Sequence, residues 1–299
     1  AQLGKITKNI LDRYGISSDT LFNTIIESNN IDSSWAKVGD TVIVSFVGNE
    51  LLTSEQIEIV ENGVIVTSSQ ITNNENYSLS FNGDGSYLNV PIGEYSGQNN
   101  AISVEAWVYV TENTNGPIFT VTNTQPGGGW NMPFLSINGT TVYGWLWQVN
   151  NNIPLAYTTT TGWHKLSVTY DPNPINPSNN LNFYVDGINV GNASGQYSPS
   201  GNDNYWSTYN PGAKPSGVNS YFTGIMDEVS MWSIALNQEQ ITSNLNAELN
   251  GLCDSNLIGY WKLNSGSGDQ IIDYSESGYN GLIYNDVAWN TNTSPISSN

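Results

Sequence analysis

The sequence predicts an all-β protein dominated by one large antiparallel sandwich. Three observations lead there. From Tyr77 onward, short segments alternate apolar and polar residues, the period of a half-buried strand. Gly, Asn and Pro turns separate these segments at regular intervals. The chain also carries 17 Tyr and 10 Trp in 299 residues, an aromatic content that disordered chains lack.

Composition narrows the function. Only 11% of residues are charged, so Asn, Ser, Thr and Gly must make the surface polar. The formal net charge of −19 repels phosphate backbones and anionic lipids, which argues against nucleic-acid binding. No apolar run approaches 18 residues, which argues against membrane insertion. Cys253 is the sole cysteine, so neither an internal disulfide nor a zinc knuckle can form.

Residues 1–30 read as an N-terminal helical docking arm. Leu3, Ile6, Ile10, Leu11 and Tyr14 fall at helical spacing, and Gly15 stands where a helix would stop. Ser18 or Asp19 is placed to cap a second short helix bearing Leu21, Phe22, Ile25 and Ile26. Lys5, Lys8 and Arg13 concentrate three of the seven basic residues here. Such an arm would attach an acidic body to a protein partner; the alternative is a helix packed on the sandwich.

Residues 31–76 turn to strands. Val42, Val44 and Phe46 alternate, and Asn62-Gly63 marks a two-residue hairpin because both residue types tolerate positive φ. The stretch "ESNNIDSSWAKVGDTVIVSF" resembles the opening of bacterial immunoglobulin-like surface repeats, in truncated form.

Residues 77–291 form the sandwich, with 292–299 as a C-terminal tail. The candidate strands lie in "YSLSFNGDGSYLNVP", "AISVEAWVYV", "MPFLSINGTTVYGWLWQV", "GWHKLSVTYD", "LNFYVDGINVG", "YFTGIMDEVSMWSIAL" and "LIGYWKLNSGSGD"; "NQEQITSNL" supplies one helical turn. In this order, the segments Ser78 to Val90, Ile102 to Val108, Trp163 to Asp171, Phe183 to Gly187, Phe222 to Leu236 and Leu257 to Trp289 resemble the laminin G-like members of the concanavalin A-like jelly rolls. The resemblance implies a concanavalin A-like lectin-glucanase sandwich. It also implies a structural Ca²⁺ near the first strand and the late "DEV" strand, with Asn82, Asp84 and Asp227 as ligands. Here Asn82 stands where the family usually has Asp, which lowers the ligand charge. The other reading of that turn has Asn82 and Asp84 satisfying local backbone N–H groups.

Glycoside hydrolysis on this fold needs two carboxylates sharing one strand face. Glu105 stands alone in "SVEAW", and the adjacent Asp227 and Glu228 would point to opposite faces of a regular strand. His164 is the only histidine and reads as a satisfied sheet residue. The expectation is therefore a protein that is not an enzyme.

The aromatic residues offer recognition instead. Tyr143, Trp145 and Trp147 alternate with Val142, Gly144 and Leu146, so period two puts the three rings on one face. That face is either core or an exposed sugar platform beside Asn150, Asn151 and Asn152. The loops holding Trp130 and holding Tyr205, Trp206 and Tyr209 would supply the rim. The sequence thus points to a module that binds a cell-surface or extracellular glycan, located extracellularly, at a cell surface or on a virion. The alternative is a structural subunit of a virion fibre, decoration layer or surface filament.

Overall fold

A computed structural model describes strand segments 21–28, 42–48, 59–61 and 64–66, and residues 76–96, 100–122, 131–176, 179–197, 205–209, 221–245, 248–249 and 254–296. The chain divides into two compact units, Ala1–Asn73 and Asn74–Asn299.

In the first unit, β1 (Leu21–Ser28) pairs antiparallel with β2 (Val42–Gly48). This corrects the helix expected over Leu21, Phe22, Ile25 and Ile26. The pairing register shifts between Phe22 and Ile25, and such a bulge lets apolar residues spaced by three and four sit in a strand. Thr24, Ile25 and Ile26 are consecutive β-branched residues, which favour extended backbone. The rest of the expected arm, residues 1–20, lies outside the described residues. β3 (Ile59–Glu61) and β4 (Val64–Val66) form the expected hairpin, with Glu61 opposite Val64.

The second unit is an antiparallel sandwich. Its strands are β5 (Ser78–Asn82), β6 (Tyr87–Ser96), β7 (Ile102–Val110), β8 (Asn115–Thr122), β9 (Asn131–Asn138), β10 (Thr141–Gly144), β11 (Leu155–Thr158) and β12 (Gly162–Tyr170). There follow β13 (Leu181–Val185), β14 (Ile188–Ala193), β15 (Tyr205–Tyr209), β16 (Thr223–Trp232), helix α1 (Gln238–Ser243), β17 (Leu257–Trp261), β18 (Gln270–Ile271), β19 (Gly281–Tyr284) and β20 (Ala288–Asn290). The back layer runs β14-β13-β12-β7-β16. On the free side of β16, β5 pairs with residues 223–226 and β17 with residues 229–232. The front layer contains β8, β9, β10 and β11 in pairing order, with β15, β6, β19 and β18 on the other side of β8.

Alternation builds the core. Val104, Ala106 and Val108 of β7, Leu166 and Val168 of β12, and Phe119 and Phe134 of the front layer are at most 1% exposed. The expected helical turn is α1, whose Asn237 Oδ1 accepts from Gln240 N–H while Gln240 Oε1 accepts from Asn237 N–H. The segment expected as a tail begins inside the sandwich. Ser78 Oγ donates to Asn292 O at 2.8 Å, and Ile296 is 5% exposed. No described helix is long and apolar enough to cross a membrane.

Candidate functional site

β10 pairs with β9 on one side and β11 on the other, so Tyr143 lies between Ser136 and Ala156. Val142 and Leu146 point into the core and are fully buried, and Gly144 is buried between them. The alternate residues Tyr143 and Trp145 take the outer side by this alternation; Trp147 stands in the turn that follows, and all three are half-buried, with Trp145 and Trp147 packing against core residues. Trp145 lies past the end of β10, yet its N–H still donates to Phe134 O at 2.9 Å, which extends the alternation. Gly144 is required beneath this row: a Cβ there would lie 2.7 Å from the Phe183 ring and 2.8 Å from Val168 of the back layer. The indole Nε1–H of Trp145 is buried without a hydrogen-bond partner.

The row runs into a left-handed loop. Gln148, Asn150, Asn151 and Asn152 have φ of 68°, 52°, 53° and 62°. Asn tolerates this region because its short amide bonds locally to the backbone. Gln148 N–H donates to Asn152 Oδ1 at 2.6 Å, Asn150 Nδ2 to Ile153 O at 2.8 Å, and Asn150 N–H to Ser194 O at 3.1 Å. These bonds hold the loop while Asn151 and Asn152 remain exposed next to the aromatic row. Strained backbone of this kind concentrates at ligand clamps.

The expected rim is only partly described. Trp130 lies outside the described residues. Tyr205, Trp206 and Tyr209 lie on β15, paired to β6 and β8, and not in the loop expected from the sequence. Their run, "YWSTY", has high β-propensity and meets two strand edges, which overrides the surrounding turn residues. Their side chains lie outside the described set.

The candidate Ca²⁺ ligands do not converge. Asn82 Oδ1 accepts from Asp84 N–H at 2.8 Å, the local turn bond of the alternative reading. Asp84 is exposed. Asp227 is fully buried, four residues along β16 from the partner of Asn82, a separation of about 13 Å. Its Oδ1 accepts from Glu228 N–H at 3.0 Å and its Oδ2 from Ser294 N–H at 2.8 Å. The three side chains therefore do not fit one Ca²⁺ site, and no described group of His, Cys, Asp or Glu is clustered for a metal.

Asp227 and Glu228 occupy the gap between β5 and β17, and here a regular strand was the wrong premise. Three residues of β16 span two of β7 between Asp227 and Ser230, and Glu228 takes a left-handed φ of 49°. Both carboxyls are buried in consequence. Burial pushes Asp227 up to about 7, against the hydrogen bonds it accepts from Ser294 and Glu228 N–H. Burial and then the Asp227 charge push Glu228 up to about 8. Tyr260 O–H donates to Glu228 Oε2, and Leu249 N–H donates to Tyr260 Oη at 3.3 Å. Lys262 Nζ donates to Glu248 Oε2 at 2.5 Å and lies 4.9 Å from the Tyr274 ring centroid.

Glu105 is not alone. It is fully buried on the outer side of the back layer, accepting from Ser167 Oγ at 2.9 Å and from Asn244 Nδ2 at 2.8 Å. Lys165 Nζ lies 3.8 Å away and donates to Asn244 O at 2.6 Å. The segment after β16 covers these groups, so they serve packing between sheet and cover. His164 is likewise partnered: Nδ1 lies 2.6 Å from Asp186 Oδ2 and Nε2 lies 3.1 Å from Thr160 O. Two acceptors favour the doubly protonated ring, and the Asp186 hydrogen bond raises its pKa against the effect of burial.

Comparison with known proteins agrees with this architecture. No curated protein matches the sequence. Among solved structures, a proposed carbohydrate binding protein from Bacteroides ovatus is 18% identical, with 90% of this chain and 68% of that one covered at a TM-score of 0.49. The heptameric SAP-like pentraxin of Limulus polyphemus is 14% identical, with 76% and 100% covered at 0.47. Domains LG4-5 of the mouse laminin α1 chain are 13% identical, with 70% and 55% covered at 0.39. Likenesses this distant carry no weight for ligand or activity. Residues 82–242, more than half of the chain, match a laminin G family profile, and the chain belongs to the Concanavalin A-like lectin/glucanases superfamily.

Proposed function

We propose that this protein is a non-catalytic glycan-binding module acting outside the cell or on a surface. One observation carries the reading: the half-buried rings of Tyr143, Trp145 and Trp147 lead directly into the exposed amides of Asn151 and Asn152. Aromatic faces stack on the apolar faces of sugar rings, and amides exchange hydrogen bonds with hydroxyls. The buried state of Glu105, Asp227 and Glu228 supports the non-catalytic part, since each already has protein hydrogen-bond partners away from solvent. Residues 1–30, with Lys5, Lys8 and Arg13, are the part we assign to attachment. A glycan array screened with wild-type protein and with Trp147→Ala tests the proposal. The wild type is expected to retain a defined glycan set that the variant loses; identical profiles for the two proteins would remove this site from recognition.

A further inference from the structure

The front layer has an unusual charge distribution. From Asn113 to Trp163, 51 consecutive residues contain no Asp, Glu, Lys, Arg or His. At the chain's own 11% of charged residues, about six would be expected in that length. The stretch supplies β8, β9, β10 and β11, which are neighbours in one layer, so the sequence gap becomes a continuous uncharged area of the sandwich. The aromatic row and the left-handed Asn loop lie within it. Ser136 and Ala156, which flank Tyr143, are uncharged, as is Thr158 opposite Thr141.

The rest of the described sandwich offers no free counter-charge, and its His164 is already paired with Asp186. Its two lysines are committed: Lys165 is 4% exposed between Asn244 and Glu105, and Lys262 is bound to Glu248. The chain as a whole carries −19. An anionic sugar on the row would lose hydration without gaining an ion pair from any described residue, and would approach through a repulsive field. A cationic sugar would find no carboxylate on the row itself.

We infer that the Tyr143–Trp147 row takes uncharged saccharides and rejects sialylated, sulfated and uronate-bearing ones. This deepens the glycan-binding reading and rests on it. Recognition then runs through ring stacking and hydroxyl–amide hydrogen bonds, neither of which is screened by salt. The neutrality of the area is what separates neutral chains from their charged derivatives.

The test measures binding of a neutral oligosaccharide and of its sialylated, sulfated or uronate-bearing counterparts to the full chain, at about 50 and 500 mM salt. Expected are a preference of at least about tenfold for the neutral form and a change with salt of less than about twofold. Trp147→Ala should weaken neutral binding by about tenfold or more. Ala156→Lys adds a cation on the exposed edge strand opposite Tyr143 without touching the core, and should admit the anionic form that the wild type rejects. Wild-type protein that binds anionic glycans as tightly as neutral ones, with salt-sensitive affinity, would overturn the inference and leave glycan binding standing. Wild-type protein that binds no glycan at all would overturn both.

Discussion

Glu228→Gln is the most informative single change in the sandwich. Glu228 sits left-handed in the bulge of β16, in the gap that β5 and β17 leave on one side of that strand. Burial and the neighbouring Asp227 charge raise its carboxyl from 4.5 to about 8. The folded chain therefore holds a proton that the unfolded chain releases near its ordinary value. Stability from this group is fully present below the unfolded pKa and is lost as pH rises through the folded one. Each unit is worth ~1.4 kcal/mol, and sharing with Asp227 leaves a loss on the order of 3 kcal/mol between pH 5 and 9. Glutamine keeps an oxygen to accept from Tyr260 O–H but cannot ionise. In a domain of this size, 3 kcal/mol corresponds to roughly 6–12 °C in Tm. Thermal melts of wild type and Glu228→Gln should nearly coincide at pH 5, and the variant should melt higher by that amount at pH 9. Parallel pH profiles for the two proteins, or wild-type stability that rises across this window, would refute the reasoning.

Two further outcomes follow from local geometry. Gly144→Ala places a methyl 2.7 Å from the Phe183 ring, so it should cost about 1–3 kcal/mol by overpacking, measured by denaturant unfolding. Asp186→Asn removes the strongest cause of the raised His164 pKa, so an NMR titration should show the imidazole titrating lower than in wild type. The sign is the same as for Glu228: stability from the raised His164 is present below about pH 6.5, is lost as pH rises through its folded pKa, and should flatten in the variant.

What the sequence disclosed depended on whether the deciding interactions were local. That Tyr143 and Trp145 share one face was legible because period two is a property of the backbone; which face turns inward was not, and the burial of Val142 and Leu146 decides it. The helical turn at 238–243 was legible from the Asn237–Gln240 box within four residues. The short strands β8, β11 and β15 were missed because Gly, Pro and Asn punctuate them; β11 follows Pro154, and β15 exists by meeting β6 and β8. The Asp227-Glu228 bulge was hidden for a similar reason. Adjacent acids on a regular strand face apart, and only the competition of β5 and β17 for the same side of β16 breaks that regularity. Two carboxylates inside "GIMDEVSMW", an otherwise apolar strand, were the available hint of a buried polar layer.

The aromatic row and the acid pair belong to different layers, and this makes them separable in experiment. The row lies on the outer side of β10 in the front layer, while Glu228 and Tyr260 lie at β16 and β17 of the back layer. Packed sheets stand about 10 Å apart, and the hydrogen bonds of Asp227 and Glu228 run to Ser294 and Tyr260, away from β10. Independent sites at such distances add within about 0.5 kcal/mol. The double variant Trp147→Ala/Glu228→Gln should therefore show the ligand loss of the first and the alkaline stabilisation of the second, each unchanged. A coupling above about 1 kcal/mol, in either melting at pH 9 or glycan affinity, would mean that the bulge in β16 transmits through the core to β10. Gly144, which leaves no room for a Cβ against Phe183 and Val168, is one place where the layer of β10 meets the back layer closely.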